Sequence, residues 1–301
     1  MRILTFDIGG TNIKYGICDE NYKLIETHKI PTDAEKGGQE LIEKIIGIVE
    51  SYKDIDRVAV STAGQVDSEN GIVVYSTGKI PYYTGMMVKK IIENKTGIQT
   101  FVENNVNAAA MGEAQFGAAK DVSDFICLTY GAGIGGAMFL NGKLYKGAGS
   151  SAGEIGHMIT HAGGKQCNCG GEGCYECYAS ANALISAVNK VSDKPLDAFQ
   201  IFDKENFEKP EIRFEIDKWI DEIIIGLINV IYIFNPSLIV LDGGIMNEDY
   251  IIELIDRKIY NRLMDNYRYV NIVRSRLGND AALLGVAYQA ANMKNYQKIY
   301  D

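Results

Sequence analysis

Chemistry-bearing residues begin at the run Phe6-Asp7-Ile8-Gly9-Gly10-Thr11-Asn12, where an acidic side chain closes an apolar segment and is followed by a glycine pair and a hydroxyl. Apolar Ile3 to Phe6 predicts a short buried strand. The glycines allow positive φ and close approach of backbone N–H groups to an anion, and Thr11 can donate to a phosphate oxygen. Asp7 would face the Mg²⁺ of a nucleotide through water, because magnesium favours carboxylates and keeps much of its hydration shell. An ordinary glycine-rich hairpin is spelled with the same letters, so the rest of the chain has to decide between them.

A second concentration of reactive groups starts at Gly153-Glu154-Ile155-Gly156-His157 and continues through Cys167, Cys169, Cys174, Glu176 and Cys177. One imidazole and three closely spaced thiolates suit a tetrahedral zinc ion on His157, Cys167, Cys169 and Cys174, with glycines letting the backbone curl around it. All four positions would be filled by protein, which makes the site structural, and Cys177 is left unliganded. A redox pair at Cys174-x-x-Cys177 and a set of inert thiols are the competing readings. A loop made rigid by metal could hold Glu154, His157 and Glu176, and with Asn104 these groups suit the hydrogen-bonding of sugar hydroxyls. A lone carboxylate is more often a solvated surface charge.

Alternating patterns that must position these groups predict strands at Arg2–Phe6, Lys14–Cys18 and Lys23–Ile30, a helix over Gln39–Tyr52 and a strand at Arg57–Ser61. Further elements are expected at Val73–Tyr75, Thr84–Lys95, Thr100–Glu103 and Asn104–Phe116, the last a small-residue helix suited to close packing on a sheet. The second half starts in the same manner: strand Asp124–Tyr130, turn Gly131-Ala132-Gly133, returning strand Ile134–Leu140. A third glycine turn, Gly243-Gly244, follows strand Ser237–Leu241 and precedes a helix near Glu248–Leu263. Long helices are expected at Ile212–Phe234 and Asp280–Met293. Two α/β halves with matching hairpins suggest a duplicated architecture with ligands in the crevice between them. The expected domains are 1–116 and 117–284, the latter carrying the zinc loop 153–177, with a terminal helix over about 285–301 returning to the first.

Composition narrows the partners. The 301 residues carry a net charge of −9 with no basic block, which disfavours nucleic acid and anionic membranes. The apolar stretch Ile223–Phe234 is shorter than the roughly 20 residues a bilayer needs. The first strand starts so near Met1 that no leader or DNA-binding module is expected before it, and a cytoplasmic protein follows. Surplus apolar surface on the Ile212–Phe234 helix fits a homodimer.

Taken in order, Asp7-Ile-Gly-Gly-Thr11, Ala63-Gly64-x-Val66, Glu103-Asn104-x-x-Asn107, Gly131-x-Gly133, Glu154-x-x-His157, Cys167-x-Cys169-x4-Cys174-x-Glu176 and Gly243-Gly244 resemble the ROK family of sugar kinases and sugar-responsive repressors over nearly the whole chain. The resemblance implies an α/β, actin-like (hexokinase-type, ribonuclease H-like) ATPase fold of two domains around a cleft, using ATP, Mg²⁺ and a structural Zn²⁺. It implies phosphate and Mg²⁺ contacts at Asp7, Gly9, Gly10 and Thr11, a cradle at Gly131, Ala132 and Gly133, and adenosine near Gly243 and Gly244. It also implies hexose contacts from Gly64, Asn104, Glu154, His157 and Glu176, with zinc on His157, Cys167, Cys169 and Cys174. The homodimer is an expectation of the same resemblance. Two positions depart from the kinases: Asn105 stands where they carry the aspartate that deprotonates the sugar, and Ala132 where they usually carry threonine. An amide can orient a hydroxyl but accepts no proton at neutral pH. Tyr82 and Tyr83 read equally as a sugar-stacking pair or as surface aromatics.

Overall fold

The computed structural model of the chain describes residues 1–292, so Met293 and the 293–301 part of the expected terminal helix lie outside the described residues. The first half forms strands β1 (Ile3–Ile8), β2 (Asn12–Cys18) and β3 (Leu24–Pro31), helix α1 (Gly37–Ser51), and strands β4 (Arg57–Thr62), β5 (Gln65–Asp67) and β6 (Ile72–Tyr75). Helix α2 (Val88–Thr96), strand β7 (Thr100–Asn104) and helix α3 (Asn105–Phe116) complete it. The second half runs β8 (Phe125–Tyr130), β9 (Ile134–Leu140), β10 (Lys143–Tyr145), α4 (Glu176–Ala179), α5 (Ala181–Val188), α6 (Lys204–Phe207) and α7 (Pro210–Phe234). It ends with β11 (Leu238–Asp242), α8 (Asp249–Ile259), β12 (Asn271–Arg274) and α9 (Ala281–Ala291).

Both large sheets follow one plan. The first has the order β3-β2-β1-β4-β7 and the second β10-β9-β8-β11-β12. β1 is antiparallel to β2 and parallel to β4, which is parallel to β7; β8 is parallel to β11 and β11 to β12. Apolar residues of α1 (Leu41, Ile42, Ile45, Val49) are buried with Leu4, Phe6, Val58 and Val60 in one core cluster, as the 3.6-residue spacing predicts. Helix α2 starts four residues later than expected, because Gly85 adopts φ +83° and Met87 lies outside the helical region.

By internal contacts the chain forms two units. The first comprises Met1–Ser123, Met138–Ala152 and the described residues from Asn279 to Asn292; the second comprises Asp124–Ala137 and Gly153–Gly278. Met138–Ala152, expected with the second domain, groups with the first because Lys146 and Ser151 bond to Glu103, Ser68 and Gln65. The small-residue helix α3 meets α9 rather than lying flat on the sheet. A Cβ at Gly285 would stand 1.8 Å from the Ala108 carbonyl oxygen, and one at Gly112 would stand 2.2 Å from that of Ala281. Helix α9 in turn covers β1 and β4, the strands that carry the first unit's polar residues.

Because carbonyl oxygens in a helix cannot swing aside, Gly285→Ala should destabilise the protein by about 1–3 kcal/mol in chemical denaturation. Gly47→Ala, on an exposed turn of α1 where an added carbon meets nothing within 4 Å, should instead stabilise by about 0.5–1 kcal/mol.

Candidate active site

In the first unit, the parallel strands β1, β4 and β7 end side by side, and register puts Asp7 beside Ser61 and Ser61 beside Glu103. Open α/β sheets bind ligands at such carboxyl ends. The Ser61 hydroxyl donates to Asp7 Oδ1 at 2.8 Å. Burial pushes the Asp7 carboxyl above its ordinary range, while the Ser61 bond and the charge of Lys14 partly oppose the shift. Lys14, opposite Asp7 in register, spends its ammonium on Asp280 and on the Asn279 carbonyl. A desolvated carboxylate held by one hydroxyl fits a hydrated cation.

The turn after β1 is closed by Gly9 N–H donating to the Asn12 carbonyl at 3.0 Å, and Thr32 ties it down through Gly9 and Thr11 carbonyls. The N–H groups of Gly10 and Thr11 and the Thr11 hydroxyl donate to no described residue. Neither Gly9 nor Gly10 uses positive φ, and at Gly9 the constraint is steric, since a Cβ there would stand 3.1 Å from the Asn12 carbonyl oxygen. A Cβ at Gly10 would meet nothing within 4 Å. At Gly64 the conformational reason does hold: φ is +99°, and a Cβ would lie 2.7 Å from the Tyr75 carbonyl oxygen.

Asn104 caps α3. Its Oδ1 accepts from Val106 and Asn107 N–H, and its Nδ2 donates to the Gly64 carbonyl at 2.8 Å, joining two sequence-predicted residues. The next residue, half-buried Asn105, has no side-chain hydrogen bond to a described residue. Behind both lies Glu103, which exposes 0% of its surface. Its Oε1 accepts from Asn104 N–H and Asn107 Nδ2, and its Oε2 accepts from Lys146 Nζ at 2.7 Å. Lys146 and Ser61 are the partners that sequence reasoning missed. Both contacts are long-range, and no spacing rule announces a lysine 43 residues beyond its carboxylate.

In the second unit the turn after β8 mirrors the first. Gly131 N–H donates to the Gly133 carbonyl at 2.9 Å, leaving the N–H groups of Ala132 and Gly133 without an acceptor among the described residues. Gly133 owes its lack of side chain to an internal neighbour, since a Cβ there would stand 2.3 Å from Glu176 Oε2. That oxygen accepts from Ile134 N–H at 3.3 Å. Gly136, Gly153 and Gly156 let backbone press on backbone: a Cβ at Gly153 would lie 2.3 Å from the Gly136 carbonyl oxygen, and one at Gly156 would lie 2.1 Å from that of Ile134. These contacts set Glu154 and His157. His157 Nε2 lies 3.7 Å from Glu154 Oε2, and its Nδ1 lies 3.9 Å from Glu176 Oε1. Gly243 has φ +115°, and a Cβ there would be 2.2 Å from the Tyr130 carbonyl oxygen, so the Gly243-Gly244 turn abuts the entry to the Gly131 turn.

The donor atoms of His157, Cys167, Cys169 and Cys174 all lie within 4.8 Å of one another. Cys167 Sγ is 3.6 Å from His157 Nδ1, and Cys169 Sγ is 3.6 Å from Cys174 Sγ. A tetrahedron with bonds of about 2.3 Å has edges of about 3.8 Å, so the set fits zinc. Burial pushes the Cys167 and Cys174 thiols up, whereas the Gly171 N–H holds Cys169 down. Cys177 stands outside the set and points to the Gln166 carbonyl. Gly170 and Gly173 take positive φ to turn the loop. The two tyrosines separate: Tyr83 is buried with its hydroxyl on Thr62, and Tyr82 is 91% exposed.

The ROK family model matches residues 3–292. An uncharacterized protein of Clostridium perfringens is 39% identical, covering 94% of this chain and 95% of its own length. A β-glucoside kinase of Listeria innocua is 31% identical, covering 98% and 99%. Among solved structures, a ROK family glucokinase from Streptomyces griseus in complex with glucose and AMPPNP superposes with a TM-score of 0.86 at 27% identity, covering 97% of this chain and 100% of that one.

The fold holds the Asp7 charge at a cost. With its pKa raised on folding, Asp7 contributes stability that is fully present below the ordinary carboxylate range and is lost as pH rises through the raised value. Without ligands, Asp7→Asn should therefore melt at a higher temperature than the native chain at pH 7, and the gap should shrink toward about pH 4. Equal melting points at pH 7 would contradict the assignment.

Proposed function

The chain belongs to the ROK family, and from that premise we propose that it is an ATP- and Mg²⁺-dependent kinase that phosphorylates the 6-hydroxyl of a hexose, an amino sugar or a glycoside. The observation that carries this reading is the matched pair of turns, each closed by its first glycine and each leaving the next two N–H groups unclaimed by the described residues. Such paired donors suit phosphate oxygens. Asp7 would hold hydrated magnesium, with the Thr11 hydroxyl and the Gly10 N–H on the phosphates. Ala132 and Gly133 steady the transferring end, and the methyl group of Ala132 costs a hydroxyl contact while the backbone donors stay. The Gly64 loop, Asn104, Glu154, His157 and Glu176 would hold the sugar.

Asn105 would occupy the base position with an amide that no described residue claims. It can orient the attacking hydroxyl and cannot take its proton. Phosphoryl transfer depends mainly on positioning and electrostatics, and a loose transition state lets the proton leave late. Turnover therefore persists at a reduced rate. A second reading, a sugar-binding sensor with negligible catalysis, draws on the same amide.

The test is sugar-dependent ADP release with Mg²⁺-ATP across hexoses, amino sugars and β-glucosides, beside Asn105→Asp. The native chain should turn over at least one sugar, and the variant should be faster by about 10²- to 10⁴-fold. Turnover by the variant alone would select the sensor, and silence from both would sink the kinase. Zinc is tested separately by metal analysis of protein purified without added metal. About one zinc per chain is expected for the native protein and for Cys177→Ser, with loss of metal and of thermal stability in Cys174→Ser.

A further inference from the structure

We propose that Phe199 is the platform on which the purine base of the nucleotide stacks, an assignment that rests on the ATP-dependent reading above. Phe199 is 65% exposed, so its ring face is open to a ligand. The backbone that carries the ring is fixed. Asp197 Oδ1 accepts from the N–H groups of Phe199 and Gln200, Gln200 Oε1 accepts from Asp197 N–H, and fully buried Ile201 anchors the turn.

The ring leans over the Gly243-Gly244 turn. A Cβ at Gly244 would stand 3.3 Å from Phe199 Cζ and 3.7 Å from Cε1. Gly244 has no positive φ, and a side chain there would crowd the ring tip. With glycine at 244 the ring tip packs close to the backbone of the turn, and the exposed ring face forms a flat apolar wall beside it. That is the shape a planar heteroaromatic ring occupies. The same turn abuts Tyr130, the residue before the Gly131 phosphate turn, so base wall and phosphate donors lie along one edge of the second unit. A nucleoside triphosphate is the ligand that needs both.

Phe199→Trp places a reporter in the wall, because the chain's single tryptophan, Trp219, is buried. Mg²⁺-ADP should quench the new indole, and inorganic tripolyphosphate, which has no base, should not. By calorimetry, Phe199→Ala should bind Mg²⁺-ADP between about fivefold and a hundredfold more weakly than the native chain. Phe199→Tyr should restore the affinity, and none of the variants should shift the melting point. If the native chain binds Mg²⁺-ADP and Phe199→Ala binds it equally well, the platform is overturned while the kinase reading stands. Absence of nucleotide binding by the native chain would overturn both.

Discussion

The polar edge of the first unit depends on a carboxylate that water cannot reach. Glu103 is buried completely, and ionised groups in that condition cost several kcal/mol unless they are paired and hydrogen-bonded. Lys146 supplies the charge, and Asn104 N–H and Asn107 Nδ2 supply the remaining donors. One ion pair therefore fixes the corner between β7 and α3, the Ser68 loop and the segment that carries Lys146. Asn104 and Asn105 take their places from that corner. Removing Lys146 would leave Glu103 uncompensated, so the pair must be made for the edge to exist.

The second unit solves the same problem of position with steric means. Its carboxylates and imidazole sit on a stretch with little regular structure, held where Gly136, Gly153 and Gly156 let carbonyl oxygens approach to distances no side chain would allow. Glu176 then bridges two functions. Its Oε1 accepts from the Cys167 thiol at 3.3 Å and its Oε2 lies against the Gly133 turn, so the thiol cluster and the phosphate-type turn share one side chain.

Much of this was legible in the sequence wherever a feature is local. The hairpins at Asp7 and Gly131 form at the expected places, and the side chains of His157, Cys167, Cys169 and Cys174 gather as their spacing suggests, with Cys177 outside the group. The reasons for several glycines were not legible. Gly9 and Gly10 read as positive-φ residues and are not, and Gly133 makes room for a carboxylate 43 residues away. Lys146 was invisible for the same cause: a partner brought in by the fold leaves no mark at the spacing of either residue. Phe199 carries no local signal either, because its proximity to Gly244 is made by the fold.

The account turns on Asn105 standing where a proton acceptor would act, and the pH dependence of phosphate transfer to the sugar tests this most directly. Measured as kcat/KM from about pH 4 to 9, the native chain and Asn105→Asp should differ on the acid side. Protonation of Asp7 should give both proteins an acid limb, and the aspartate variant should fall more steeply through a second carboxylate that the native chain lacks. An identical acid limb in both proteins would mean that another group takes the proton and that Asn105 is not the base position.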